Sequence, residues 1–333
     1  MGVAITGLLP KKEISLQNLK NKKLAIDASN MLYQFLSSIR QMDGTPLMDS
    51  KKNITSHIMG LSTRIPNLME QGLKLCFVFD GEPPKIKSEE SQRRENRKKI
   101  AQNKLDIAKQ EKDIDSMAKY SKQTTKLTKE IAQESKEFIK ALGLPVIQAP
   151  SEAEAQAAFL AEKGDVWAVI SQDTDSLLYS TPKTIRNLTV SQRKRVQGTY
   201  IKVNPEIIEL KEVLKTLKIN QDQLLALSIL VGTDYNVGGV KGIGPKTALK
   251  LVQQHKSFEK IFSNVEAQFS WKKVYATFKN MPIIKNYQLN WKEPDFDKIS
   301  NILEKHDFAK DRINRLIEKL KPKEQKDLDK WFK

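Results

Sequence analysis

The chain has 333 residues, of which 57 are Lys or Arg and 40 are Asp or Glu, so it carries a net charge of +17 at neutral pH. Its hydrophobic content of 39% supplies a core and excludes a disordered polyelectrolyte, and no apolar run approaches the roughly 20 residues of a membrane span. One cysteine, Cys76, and three histidines, His57, His255 and His306, exclude a disulfide framework, a cysteine-based zinc site and a histidine-rich metal centre. The surplus of positive charge favours a polyanion such as nucleic acid or an anionic membrane surface, although 29% charged residues also suits simple solubility. Distribution along the chain has to decide.

At the N-terminus, Met1–Pro10 lacks the basic region and cleavage site of a secretory signal, while Gly2 fits the loose pattern for myristoylation. Three short apolar runs read as buried strands: Leu24–Ala28, Leu75–Phe79 and Val166–Ile170. Leu144–Ile147 and Thr184–Val190 are weaker candidates. Helix-like sequence follows the strong ones, which predicts an α/β fold with a central, mostly parallel, twisted sheet flanked by helices. Each strong run ends in or soon meets aspartate: Asp27, then Asp80, then Asp173 and Asp175. Ligand sites of open parallel sheets lie beyond the carboxyl ends of the strands, so these acids form a site pattern.

Between Lys85 and Lys136 fifteen Lys and Arg face nine Asp and Glu, with only a thin apolar stripe at Ile100, Ile107, Ile114 and Met117. Good helix formers dominate, so one or more long helices are expected to project from the body. Lys87 and Arg94 are seven residues apart and share one helix face. Lys183–Lys202 carries six basic residues and no acid, and a further basic stretch surrounds Lys241–Lys260. Three such segments flanking acidic strand ends raise nucleic acid above membrane as the partner.

Pro150-Ser151-Glu152-Ala153-Glu154 adds two acids, with Ser151 and Glu154 spaced as a capping box, and Asp234 follows the apolar run Leu224–Val231. Gathering carboxylates in a polyanion-binding protein is costly unless hard cations neutralise them. Oxygen-only donors select Mg²⁺ or Mn²⁺, and two such ions about 3.5–4 Å apart can clamp a phosphodiester. Gly242-Ile243-Gly244-Pro245-Lys246-Thr247 then reads as a tight turn into a helix, with Lys246 and Lys250 beside free N–H groups suited to a DNA phosphate. At the end of the chain Gln325 precedes Leu328, Trp331 and Phe332, and these last three are spaced to present one apolar plug to a partner pocket.

Taken in order, Ala25–Ser29, Phe77–Gly81 with Pro83-Pro84, Pro150–Gln156, Gln172–Leu177, Gly232–Tyr235 and Gly242–Lys246 resemble the flap endonucleases, structure-specific 5′ nucleases of replication and repair, particularly the shorter archaeal type. The resemblance implies that Asp27, Asp80, Glu152, Glu154, Asp173, Asp175 and Asp234 are ligands of two Mg²⁺ ions, with Mn²⁺ as a substitute. It implies that Lys87 and Arg94 are the catalytic basic pair, on the first helix of a gateway and arch over about residues 85–136. Tyr33 matches the aromatic that stacks beside the scissile phosphate, Thr55 lies in the segment shaping a one-nucleotide 3′-flap pocket, and Gly2 matches a terminus near the active site. Gly242, Gly244, Lys246, Thr247 and Lys250 fall in a helix–two-turn–helix region of about 224–262 that in the family grips duplex DNA and can hold a K⁺. The tail resembles a sliding-clamp-interacting box.

The expectation is therefore a single nuclease domain over 1–322 and a clamp-binding tail over 323–333. As a monomer it cleaves 5′-flap DNA, and nicked or gapped duplex, near the single-strand/duplex junction, with 5′–3′ exonuclease activity, in Okazaki fragment maturation and repair. An archaeal-type cytoplasmic location is expected, or a nuclear one in a eukaryote, with no membrane association. Glu82 and Asn30 are departures given no role. A clamp-tethered DNA scaffold without chemistry and a phosphatase of small phosphoesters are the rival readings.

Overall fold

A computed structural model describes residues 3–189, 193–196 and 199–321. In chain order the strands and helices are β1 (Lys12–Glu13), β2 (Lys23–Asp27), α1 (Ala28–Ser38), α2 (Ser56–Glu70), β3 (Lys74–Phe79), α3 (Ser88–Glu111), α4 (Ile114–Gln123), α5 (Lys129–Ala141), β4 (Val146–Gln148), α6 (Ala153–Glu162) and β5 (Ala168–Ile170). They continue as β6 (Lys183–Arg186), β7 (Arg193–Val196), β8 (Thr199–Lys202), β9 (Glu206–Glu209), α7 (Leu210–Leu217), α8 (Gln221–Val231), α9 (Pro245–Gln254), α10 (Phe258–Ser263), α11 (Trp271–Lys279), α12 (Phe296–Lys305) and α13 (Lys310–Leu320).

Seven strands form one sheet in the order β1-β9-β6-β5-β2-β3-β4. The run β6-β5-β2-β3-β4 is parallel, while β9 and β1 close one edge antiparallel. The expected α/β sheet is thus present, and β7–β8 form a separate antiparallel pair. Along β2 and β3 side chains alternate faces. Leu24, Ile26, Leu75, Phe77 and Phe79 join a core with α1, α2, α5, α12 and α13, while Ala25, Cys76 and Val78 pack under α6. Burial on both faces is why these strands read as unbroken apolar runs. A further apolar cluster unites α7–α11 with Val3, Ile5 and Leu9 of the N-terminal segment.

The charged stretch after β3 is helical as expected, but its packing differs from the sequence expectation. Ile100, Ile107 and Ile114 are exposed, and the residues buried on α3 are Glu90, Ala101, Leu105 and Ala108. Small side chains let α3 and α4 approach closely, so the bulkier isoleucines are left outside. Far from standing free, α4 is also seated on the loop after α1. Gly44 has φ +83°, and a Cβ there would lie 2.5 Å from the Ala118 Cα. Arg40 donates to the Gly44 carbonyl at 2.8 Å and to the Thr125 hydroxyl at 2.7 Å, fixing the same corner. The capping box expected at Ser151 and Glu154 is absent too. Glu152 is the N-cap of α6 and makes no side-chain cap bond, and the Ser151 hydroxyl donates to the Glu82 carbonyl at 2.8 Å.

Candidate active site

The parallel strands aim their carboxyl ends at one place. Asp27 ends β2 and caps α1, accepting from the Asn30 N–H at 3.0 Å. Asp80 follows β3 and accepts from the Ala153 N–H at 2.7 Å, taking over the capping of α6 that the sequence had assigned to Ser151. Glu152 and Glu154 are thereby left to face inward. Asp173 and Asp175 follow β5, and Asp175 accepts from the Val3 N–H at 2.7 Å, which ties the N-terminal segment to the site. Asp234 lies in the turn after α8. All seven expected acids, together with Lys87, Arg94 and Tyr33, line one cleft of about 450 Å³.

The cleft is electrostatically unbalanced. The Lys87 ammonium contacts both Glu152 oxygens at 2.8 and 2.9 Å and Asp234 at 3.3 Å. Arg94 donates to Asp234 at 2.7 Å and to Glu90 at 2.8 Å. Although burial opposes the charge on Lys87, Glu152 and Asp234 outweigh it and push its pKa up. For the acids the balance runs the other way. Burial and the neighbouring Asp80, Asp173 and Glu152 hold Asp27 well above the usual carboxylate range. Burial and then Asp175, Asp27 and Asp173 do the same to Glu154. Asp175 is raised to about 7, chiefly by burial. Glu152 is also raised, burial outweighing its contact with Lys87.

More negative charge is therefore collected than the two basic side chains offset. The donors are oxygens only, which suits hard divalent ions and not zinc. Among the described residues no three His, Cys, Asp or Glu side chains close into a ready-made coordination cage. The acids instead line an open cleft together with Lys87 and Arg94.

The cleft also contains residues that carried no role in the sequence reading. Asn30 bridges two strand ends: its backbone N–H donates to Asp27 at 3.0 Å, its side-chain amide donates to Asp173 at 2.8 Å and its Oδ1 accepts from the Gln172 N–H at 3.3 Å. Glu90, Arg97 and Lys98 come from α3, and Gln123 from α4. Helical spacing from Asp27, Lys87 and Arg94 was the available signal for Asn30 and Glu90. The ring of Tyr33, 41% exposed, has the Lys98 ammonium 5.7 Å from its centroid.

The other expected contacts are not part of this cleft. Thr55 is buried at the start of α2 and makes no side-chain cap bond. Gly242, with φ +80°, and Gly244 precede α9, whose first residue is Pro245, as its sequence predicts. A Cβ at either glycine would meet nothing within 4 Å, and Lys246, Thr247 and Lys250 are exposed. Gly2, Gln325, Leu328, Trp331 and Phe332 lie outside the described residues.

Comparison with known proteins agrees with this geometry. Residues 3–101 match the XPG N-terminal domain and 143–234 the XPG I-region. Flap endonuclease 1 of Pyrococcus abyssi is 47% identical over 100% of this chain and 98% of its own, and that of Pyrococcus furiosus is 45% identical over 100% of both. The solved flap endonuclease-1 from Methanococcus jannaschii is 41% identical with a TM-score of 0.77, covering 96% of this chain and 98% of that one. The catalytic core of Rad2 in complex with DNA substrate, 23% identical with a TM-score of 0.69 over 95% of this chain and 98% of its own, shares the fold. With full-length identity of this order and the acidic cleft in place, the chain belongs to the flap endonuclease family of XPG nucleases.

Proposed function

We propose that this nuclease cleaves 5′-flap DNA near the single-strand/duplex junction by hydrolysis of one phosphodiester, with 5′–3′ exonuclease action on nicked or gapped duplex. The observation that carries the reading is the convergence of seven carboxylates, Lys87 and Arg94 on one cleft in a chain of net charge +17. Two divalent ions, Mg²⁺ or in its place Mn²⁺, would be held by Asp27, Asp80, Glu152, Glu154, Asp173, Asp175 and Asp234, and would supply Lewis-acid polarisation and activation of water. Lys87 exchanges its contacts with Glu152 and Asp234, and Arg94 its contact with Asp234, for oxygens of the scissile phosphate, and both stabilise the charge that builds there. Tyr33 offers its ring to the adjacent base. The first N–H groups of α9, with Lys246, Thr247 and Lys250, bind duplex phosphates independently of sequence. The bare backbone at Gly242 and Gly244 leaves room for that approach and for a structural K⁺. Thr55 belongs to the 3′-flap pocket and Gly2 to the active-site margin.

Residues 1–322 act as one nuclease domain, a monomer, and 323–333 as the sliding-clamp tail, through Gln325, Leu328, Trp331 and Phe332. The work is Okazaki fragment maturation and repair in an archaeal-type cytoplasm. Among the described residues no helix is long and apolar enough to cross a membrane. The deciding experiment is cleavage of a 5′-labelled double-flap DNA beside a matched single strand, in Mg²⁺ and in EDTA. One junction-proximal product, from the flap alone and only with Mg²⁺, is expected. Tight binding without product in any divalent ion would instead establish a DNA-binding scaffold. Deletion of 325–333 should abolish clamp binding and leave unstimulated cleavage intact.

A further inference from the structure

The geometry points to Glu90 as a positioning residue that keeps Arg94 aimed at the scissile phosphate when Asp234 changes partner. We propose this role on the basis of the phosphodiester-cleaving function above. Glu90 stands one helical turn beyond Lys87 and one turn before Arg94 on α3, and it is 5% exposed on the wall of the cleft. A buried carboxylate beside a site for an anionic substrate is unfavourable on both counts unless a cation is bound to it. Glu90 has that cation: its Oε1 accepts from Arg94 Nε at 2.8 Å. A surface ion pair four residues apart on a helix contributes little, but here the acid is buried while the Arg94 side chain stays 39% exposed toward the cleft.

The guanidinium is planar, so two hydrogen bonds fix its plane and direction. Nε is held by Glu90 and Nη2 by Asp234 at 2.7 Å, and among the described residues no hydrogen bond is formed by Nη1. Asp234 serves two partners at once, because Lys87 also lies 3.3 Å from the same Oδ2. An Asp234 engaged in holding an ion would no longer orient Arg94. Glu90 then remains as the protein tie on the fork, with Nη1 and Nη2 presented to the phosphate. A donor aimed before the charge develops needs no reorganisation during reaction, and losing that aim is costly.

The test is a double-mutant cycle on single-turnover cleavage of flap DNA, using Glu90→Ala, Glu90→Gln and Arg94→Ala, with DNA affinity measured in Ca²⁺. Glu90→Ala is expected to slow cleavage roughly ten- to a hundredfold while affinity stays unchanged. Glu90→Gln keeps an acceptor for Nε and should recover most of the rate. In the Arg94→Ala background, Glu90→Ala should slow cleavage by less than about twofold, the signature of a residue acting through Arg94. The Arg94 Nε–H signal, slow to exchange with solvent in the wild-type complex, should exchange faster in the Glu90→Ala complex. An equal loss in both backgrounds, or an unimpaired Glu90→Ala enzyme, overturns the role of Glu90 alone. A wild-type chain that cleaves no flap overturns the function on which that role rests.

Discussion

Removing a charge from the acidic cleft should stabilise this protein when no divalent ion is present. Asp175 is the clearest case, because its carboxyl is raised from 3.8 to about 7, by burial first. Its ionised form is thus less favourable in the folded chain than in the unfolded one. The sign follows from proton linkage: the penalty is absent below 3.8, grows as pH rises, and is complete above about 7. At about 1.4 kcal/mol per pH unit the full displacement is worth about 4 kcal/mol, and since Glu154 and Asp27 share the protons, about 2–4 kcal/mol is expected on its removal. Asp175→Asn deletes the charge and keeps an oxygen to accept from the Val3 N–H. Calorimetry in EDTA at pH 8 should show the variant melting on the order of 3–6 °C above wild type. At pH 5 the difference should be less than half as large, and Mg²⁺ should raise the wild-type melting temperature more than the variant's. A variant that melts lower at pH 8, or gains equally at both pH values, would refute the electrostatic reasoning.

On the proposed role of its ammonium in meeting charge that develops in reaction, Lys87→Ala should lower the cleavage rate by at least about a hundredfold while leaving flap affinity nearly unchanged; equal losses in both would mark it as a ground-state phosphate contact. Acid should unfold the chain through a second cluster. Against the opposing effect of burial, Asn53 and His306 hold Asp49 down to about 2, and His57 and His306 do the same for Glu134. Both acids contribute stability above the ordinary carboxylate range that is lost as pH falls toward 2, and His306→Ala should flatten that part of a stability–pH profile. Gly44→Ala combines φ +83° with a Cβ 2.5 Å from Ala118 Cα, so α4 should lift at a cost of about 1–3 kcal/mol. Faster proteolysis within Ile114–Gln123 is the readout, and unchanged protection there would contradict the seating of α4.

The strands and the acids at their ends were legible because the physical demands on them are local. A strand buried on both faces needs an unbroken apolar run, and a right-sized run followed by aspartate puts that acid on the carboxyl edge whichever strands become neighbours. Pro245 at the first position of α9 and the glycine at φ +80° before it were likewise set by backbone geometry within a few residues. The residues of α3 and the start of α6 were not legible in the same way. Ile100, Ile107 and Ile114 supplied a plausible apolar stripe, yet the buried face belongs to Ala101, Leu105 and Ala108. Which face of a highly charged helix is buried depends on the shape of the partner helix, here α4, and not on hydropathy alone. Ser151 had the right spacing for a capping box, but Asp80, 73 residues away in sequence, reaches the Ala153 N–H first.

By itself, then, the sequence determined the α/β class, the positive field for a polyanion, the candidate acids and the basic pair, because residue type and short-range spacing encode each of these. The tertiary structure decided what those groups do to one another. It brought Asp27, Asp80, Asp175 and Asp234 to one cleft, joined Val3 to Asp175, and set Asn30 between Asp173 and Gln172. It also paired Glu90 with Arg94 and raised the Asp175 carboxyl to about 7. Titration and aim depend on distance and burial in three dimensions, and contacts spanning 140 or more residues, such as Arg94 with Asp234, leave no periodicity in the chain from which they could be read.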